Sequence, residues 1–178
     1  MILYYPCKPL GVNQPFGINP QTYARFGING HNGIDFFAPD GTGVFATHEG
    51  TVVQVGVDEY EGHGVVVEGV DEIGKYKTIY WHMKENEIAV KVGDKLSVGD
   101  FIGKADNTGF STGSHLHFGL KRTDDNGDTL NNDNGFLGAI DPMPYFTGQF
   151  ACDDKLGKLL ALIKSIALQL LGILKGKQ

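Results

Sequence analysis

Thr51-Val-Val-Gln-Val-Gly-Val57, Val65-Val-Val-Glu-Gly-Val70 and Lys77-Thr-Ile-Tyr-Trp-His-Met83 decide the fold. Each run is rich in β-branched and aromatic side chains, and Gly and Asp stand between the runs, which is the chemistry of strands joined by tight turns. Shorter runs of the same kind flank them at Ile34–Ala38, Val44–Thr47, Phe101–Lys104 and Leu116–Lys121. No useful apolar stretch with a 3.6-residue period occurs before residue 153. The 26 glycines among 178 residues follow no triplet period, so they read as turns rather than as collagen. The expectation is a mainly β domain over residues 1–152, built as a compact antiparallel sheet or sandwich.

Two segments echo each other. Gly43-Val-Phe-Ala-Thr-His-Glu-Gly50 and Val92-Gly-Asp-Lys-Leu-Ser-Val-Gly-Asp100 each read as a strand, a glycine turn and a returning strand, which suggests two related hairpins. A net charge of −6 excludes a whole-protein electrostatic footprint for nucleic acid. Residues 123–135 form a polar run without the spacing or closing glutamate of an EF-hand, so they read as a solvated loop. Cys7 and Cys152 bracket the β region: either the domain's ends meet and the two form a disulfide, or both are free thiols.

The histidines carry the chemistry. In the strand Leu116-His117-Phe118-Gly119-Leu120, His115 and His117 are two residues apart and share a face, which suits either a divalent metal or a pair of surface imidazoles. His31-Asn-Gly-Ile-Asp35 places an imidazole and a carboxylate on one face of an extended segment, with Gly33 leaving space between them. A third donor from His117 completes a three-ligand zinc site with its fourth position open, as hydrolytic zinc needs. His82 sits in an apolar strand, where taken alone it reads equally well as a buried structural histidine. His48 and His63 fall at turn positions and read as surface residues.

Gly30-His31-Asn-Gly-Ile-Asp35, Tyr80-x-His82 and Thr108-Gly-Phe-Ser-Thr-Gly-Ser-His115-Leu-His117-Phe118 resemble, in this order, the three signatures of the M23 family, the lysostaphin-like zinc metallopeptidases that cleave peptidoglycan cross-links. The resemblance runs from about Gln14 to Phe146. It implies an antiparallel β core with the site in a groove, Zn²⁺ held by His31, Asp35 and His117, and His82 and His115 as the catalytic pair beside the open position. Asn107 matches the family's Asn-x-Gly turn, a turn former first and a substrate contact second. Gly43 and Ser114 stand where the family often has proline; both loosen a turn and neither removes a ligand.

The function this implies is hydrolysis of peptide bonds in bacterial peptidoglycan stems or cross-bridges, in a phage-type lysin acting at the cell wall. The alternative is a degenerate relative that binds wall or activates a partner hydrolase, against which all five key side chains are present. A biotinyl-type carrier module is excluded, because the only Met-Lys pair, Met83-Lys84, is followed by Glu85. Met1-Ile-Leu-Tyr-Tyr-Pro6 lacks the pattern of a secretory signal, so delivery by phage, release through a holin, or a removed leader is expected.

Residues 153–178 change character, with five lysines against two aspartates. Asp153 and Asp154 suit a helix start, and Lys175, Gly176 and Lys177 a helix end. Leu156, Leu159, Leu160, Ile163, Ile166, Ala167, Leu170, Leu171 and Leu174 form a broad apolar face opposite Lys158, Ala161, Ser165, Gln169 and Gly172. This predicts a basic amphipathic helix that packs on its own domain, self-associates, or settles on anionic membrane.

Overall fold

The structure is a computed structural model that describes residues 1–175, with side chains to residue 167. Its strands are β1 (Leu3–Tyr5), β2 (Val12–Gln14), β3 (Ile34–Phe37), β4 (Gly43–Phe45), β5 (Gly50–Asp58), β6 (Gly62–Asp71), β7 (Gly74–Met83), β8 (Lys95–Leu96), β9 (Phe101–Lys104), β10 (His115–Thr123) and β11 (Phe146–Phe150). Helix α1 is Pro20–Tyr23 and helix α2 is Ala151–Lys175. Seven strands form the main antiparallel sheet in the order β2-β3-β10-β7-β6-β5-β8. The runs Thr51–Val57, Val65–Val70 and Lys77–Met83 fall in its long consecutive strands β5, β6 and β7.

Strand alternation gives this sheet two chemically different faces. Leu116, Phe118 and Leu120 of β10 go to the core, with Ile34 and Phe36 of β3, Tyr80 of β7 and Val65 and Val67 of β6. Their alternates on β10 and β3, His117, Gly119, Lys121 and Asp35, therefore belong to the other face. The buried Tyr80 hydroxyl is satisfied by the Thr47 backbone N–H at 3.1 Å and the Thr47 hydroxyl at 2.8 Å. The core thus fixes which residues are left to build a site.

Two expectations are corrected. The echoing segments do not form two hairpins: β4 pairs with β9 and β5 with β8, so the segments embrace each other. The Gly99 N–H donates to Ala46 and the Ala46 N–H to Asp100, closing the middle of that embrace. His48 is buried rather than superficial, because the turn before β5 folds over β7. Its Nδ1–H donates to the Glu49 carbonyl and its Nε2 accepts from the Thr78 hydroxyl, both at 2.8 Å. Burial drops its pKa to about 4. Of the two readings open for Cys7 and Cys152, the structure has free thiols, although parallel pairing of β1 with β11 does bring the domain's ends together. Burial, then the neighbouring Cys152, pushes the Cys7 thiol up to about 12.

Helix α2 begins at Ala151, two residues before the expected start, and Ala151 is fully buried. Ion pairs from Lys8 to Asp153 and from Lys155 to Asp100 tie its first turn to the domain. Beyond them the described apolar residues stay uncovered: Leu156, Leu159, Leu160, Ile163 and Ile166 are 46–54% exposed. Packing of that face on the chain's own sheet is therefore not what the structure shows. The expected helix end at Gly176 and Lys177 lies outside the described residues. Among the described residues no helix is long and apolar enough to cross a membrane.

Candidate active site

Sheet register assembles the centre of the site. On β10, His117 stands directly opposite Asp35 of β3 and, on its other side, opposite Trp81 of β7. His31 lies in the loop before β3, not on an extended strand, and a bend at Asn32–Gly33 brings it back over Asp35. His31 Nε2, Asp35 Oδ1 and His117 Nδ1 lie 3.0–3.1 Å from one another, and all three residues are buried. Gly33 leaves space as expected, and the His117 ring takes it: a Cβ on Gly33 would come within 2.6 Å of His117 Cε1 and of the Phe118 carbonyl.

The donor set fits a cation. Pro15's carbonyl, 3.1 Å from His31 Nδ1, can only accept, so the Nδ1 proton sits there and the neutral ring turns an Nε2 lone pair inward. That lone pair faces a carboxylate oxygen at 3.1 Å, and two acceptors at that distance repel unless a proton or metal lies between them. Burial would raise the Asp35 carboxyl, but the close His117 and His31 rings outweigh it and hold the group well below the usual carboxylate range. The His117 imidazole is opposed by burial yet raised, chiefly by Asp35. A buried carboxylate with two converging imidazoles is a site that demands positive charge.

His82 and His115 flank this cluster. His82 has a left-handed backbone, φ 59°, which breaks the strand's alternation immediately after Trp81. The strain is held from both sides: His82 N–H donates to Glu61 and its carbonyl accepts from Asp106. The His82 ring lies 4.5 Å from that of His115 and 6.1 Å from that of His117. Its Nδ1–H donates to the Thr108 carbonyl at 2.6 Å, and His115 Nδ1–H to the Gly113 carbonyl at 2.8 Å. Each ring thereby has Nε2 as its free nitrogen, and His115 Nε2 is 3.6 Å from Asp35 Oδ1. Burial, with the nearby imidazoles His115 and His117, depresses His82 to about 4.

All five residues line one cleft of about 610 Å³. Asn107 is exposed on the loop before β10 and is not among the residues that line it. Three lining residues escaped the sequence reading. Tyr23 stacks on His31, its ring centroid 5.4 Å away, and its hydroxyl accepts from Gln14 Nε2 at 2.6 Å. Burial, then the Asp35 charge, raises Tyr23 to about 12, so it keeps its proton at neutral pH. Phe26 packs edge-on against Tyr60 and Phe110, and Arg25 lies over the Phe110 ring at 4.3 Å. Tyr23, Arg25 and Phe26 sit in α1 and the short 3₁₀ turn after it, and Pro20 at the helix start was the signal that could have revealed that segment.

Comparison with known proteins agrees with this architecture. The family model "Peptidase family M23" matches residues 29–131. The glycyl-glycine endopeptidase ALE-1 of Staphylococcus capitis is 37% identical over 121 residues, covering 67% of this chain and 30% of that protein. The peptidoglycan DD-endopeptidase ShyA of Vibrio cholerae is 42% identical over 90 residues, 51% of this chain and 20% of that protein. The chain thus spans less than a third of the length of these relatives. The solved catalytic domain of the antimicrobial peptidase lysostaphin from Staphylococcus simulans superposes with TM-score 0.54 at 30% identity, covering 82% of this chain and 89% of that one. The match spans more than half of the sequence and encloses His31, Asp35, His82, His115 and His117, so the chain belongs to peptidase family M23.

Proposed function

We propose that this chain is a zinc-dependent endopeptidase that hydrolyses peptide bonds in bacterial peptidoglycan. The observation that carries this reading is the convergence of His31 Nε2, Asp35 Oδ1 and His117 Nδ1 within 3.0–3.1 Å, with two further imidazoles beside them in the same cleft. His31, Asp35 and His117 would hold the zinc, which when bound polarises the scissile carbonyl and acidifies water.

The chain's own residues handle protons and position the peptide. His82 is neutral at neutral pH, so its free Nε2 accepts a proton. The His82–His115 pair takes the proton that attacking water loses and returns it to the departing amine nitrogen. Tyr23, which stays protonated, donates a hydrogen bond to the carbonyl oxygen as negative charge builds on it. The Phe26, Tyr60 and Phe110 wall gives the peptide an apolar side to lie against. The similarity to ALE-1 and ShyA supports a peptidoglycan substrate.

The setting we propose is a phage-type lysin whose α2 rests on anionic membrane; the half-exposed apolar residues and lysines of that helix support the membrane contact. The deciding experiment digests purified sacculi of glycine-bridged and directly cross-linked walls and identifies products by mass spectrometry. New amino termini at a stem or bridge bond, absent after chelation, are the expected result. Undigested sacculi with fully zinc-loaded protein would overturn the catalytic reading and favour a wall-binding module.

A further inference from the structure

The same sheet face that bears His117 continues beyond it into a second cleft that the mechanism above does not use. Along β10 the residues facing this side are His117, Gly119 and Lys121, and register sets Gly119 opposite Ile79 and Lys121 opposite Lys77. The cleft measures about 280 Å³, and it shares Asn32, Asp58, Glu61, His117 and Leu137 with the first, so the two are continuous past the zinc-site residues. Gly119 keeps the floor between them low; a Cβ there would lie 3.3 Å from the Ile79 side chain and 3.8 Å from His117 Nε2.

Lys121 ends this floor, and its ammonium has no direct ion-pair or hydrogen-bond partner among the described residues. Its direct cross-strand neighbour is a like charge, an arrangement that costs stability. Lys77 has an outlet, since its Nζ donates to the Gly127 carbonyl at 2.7 Å. Lys75, farther out on β7, pairs with Glu68 at 3.3 Å. The Nζ of half-buried Lys121 makes no hydrogen bond and has no carboxylate within 4.0 Å among the described residues. Asp58 and Glu61 line the same cleft without pairing with it. Burial lowers the Lys121 pKa, outweighing the favourable field of Glu61. A desolvated ammonium without a partner is a cost that folding alone gives no reason to keep.

We propose that Lys121, with Lys77 opposite, forms a subsite for a carboxylate of the substrate peptide. The inference rests on the peptidase reading and narrows its substrate class. Lys121 lies four strand positions beyond His117, roughly 13 Å at about 3.3 Å per residue, and the lysine side chain takes up part of that span. The carboxylate therefore belongs two to three residues from the bond being cut. Peptides with a free acidic group there are favoured over neutral ones such as polyglycine.

The test uses the full chain loaded with zinc and two synthetic stem-like pentapeptides, one with free side-chain and terminal carboxylates, the other fully amidated. Two singly amidated peptides separate the side-chain carboxylate from the terminal one. Binding is measured by calorimetry, and KM and kcat wherever cleavage occurs. Wild type should bind the acidic peptide about tenfold or more tightly than the amidated one, the range of a charge-assisted hydrogen bond. Lys121→Met should erase that difference by raising KM or Kd for the acidic peptide alone, with zinc content and the kinetics on the amidated peptide unchanged and Tm equal or higher, and Lys121→Arg should restore most of it. Equal binding of the two peptides by wild type overturns the proposal, as does an equal loss for both in Lys121→Met. Selective binding without cleavage would keep the subsite and sink the catalytic reading, so the two fail separately.

Discussion

Gly33→Ala is the substitution that most directly couples packing to the proposed zinc site. A Cβ at residue 33 would meet His117 Cε1 and the Phe118 carbonyl oxygen at 2.6 Å and His117 Nε2 at 2.7 Å. Reaching ordinary contact requires the ring or the backbone to retreat by roughly 0.8 Å. Phe118 is fully buried in the core, so the ring must give. Its Nδ1 is 3.0 Å from both His31 Nε2 and Asp35 Oδ1, and metal sites tolerate ligand shifts of only about 0.2 Å. We expect zinc affinity to fall by about 10- to 100-fold and stability by about 1–3 kcal/mol. The assays are chelator competition monitored by zinc release, and denaturant unfolding. Gly56→Ala is the control: nothing lies within 4 Å of its Cβ, and stability should hold or rise slightly. Wild-type zinc affinity in Gly33→Ala would refute the reasoning.

Chelation should abolish cleavage and added zinc restore it; Asp35→Ala and His117→Ala should lose the metal, whereas His115→Ala should keep it and lose about 10²-fold or more in rate. Metal loss in His115→Ala with retention in His117→Ala would reverse the assignment, read by elemental analysis. Stability should decline on acidification through His48. Its folded pKa of about 4 lies below the 6.5 of an ordinary imidazole, so the unfolded chain binds the extra proton first. The contribution is complete above pH 6.5 and is lost as pH falls towards 4, by about 3 kcal/mol at 1.36 kcal/mol per unit. His48→Gln should flatten that part of the pH–stability curve measured by denaturation. Deleting residues 153–178 should leave zinc content and sacculus digestion intact and remove binding to anionic vesicles. An unfolded truncation product would assign α2 to the core instead.

Four of the five key side chains could be found in the sequence because each sits in a local pattern, whereas His82 was singled out only by the family resemblance. His115 and His117 are separated by one strand period, and His31 and Asp35 by a bend of four residues. The aromatic wall was not legible. Phe26, Tyr60 and Phe110 come from three separate loops, and nothing local to any of them announces that they meet. His48 misled for a related reason: its neighbours in sequence are turn formers, while its neighbours in space are Thr78 and Tyr76 of a strand 30 residues away.

By itself the sequence determined the β class, the terminal helix, and which residue types the chemistry would use. Those features are written at short range, in period-two alternation, turn glycines and closely spaced donors. Tertiary structure alone decided the rest. Register put Asp35 opposite His117 and Lys121 opposite Lys77. A left-handed backbone at His82 turned that ring toward His115 against the strand's own alternation. The echoing segments paired with each other because antiparallel partners are chosen by the whole sheet's packing. Alternation rules out a one-residue slip, which would exchange the two faces, but strand pairing joins residues distant in sequence, so no local pattern names the partner strand.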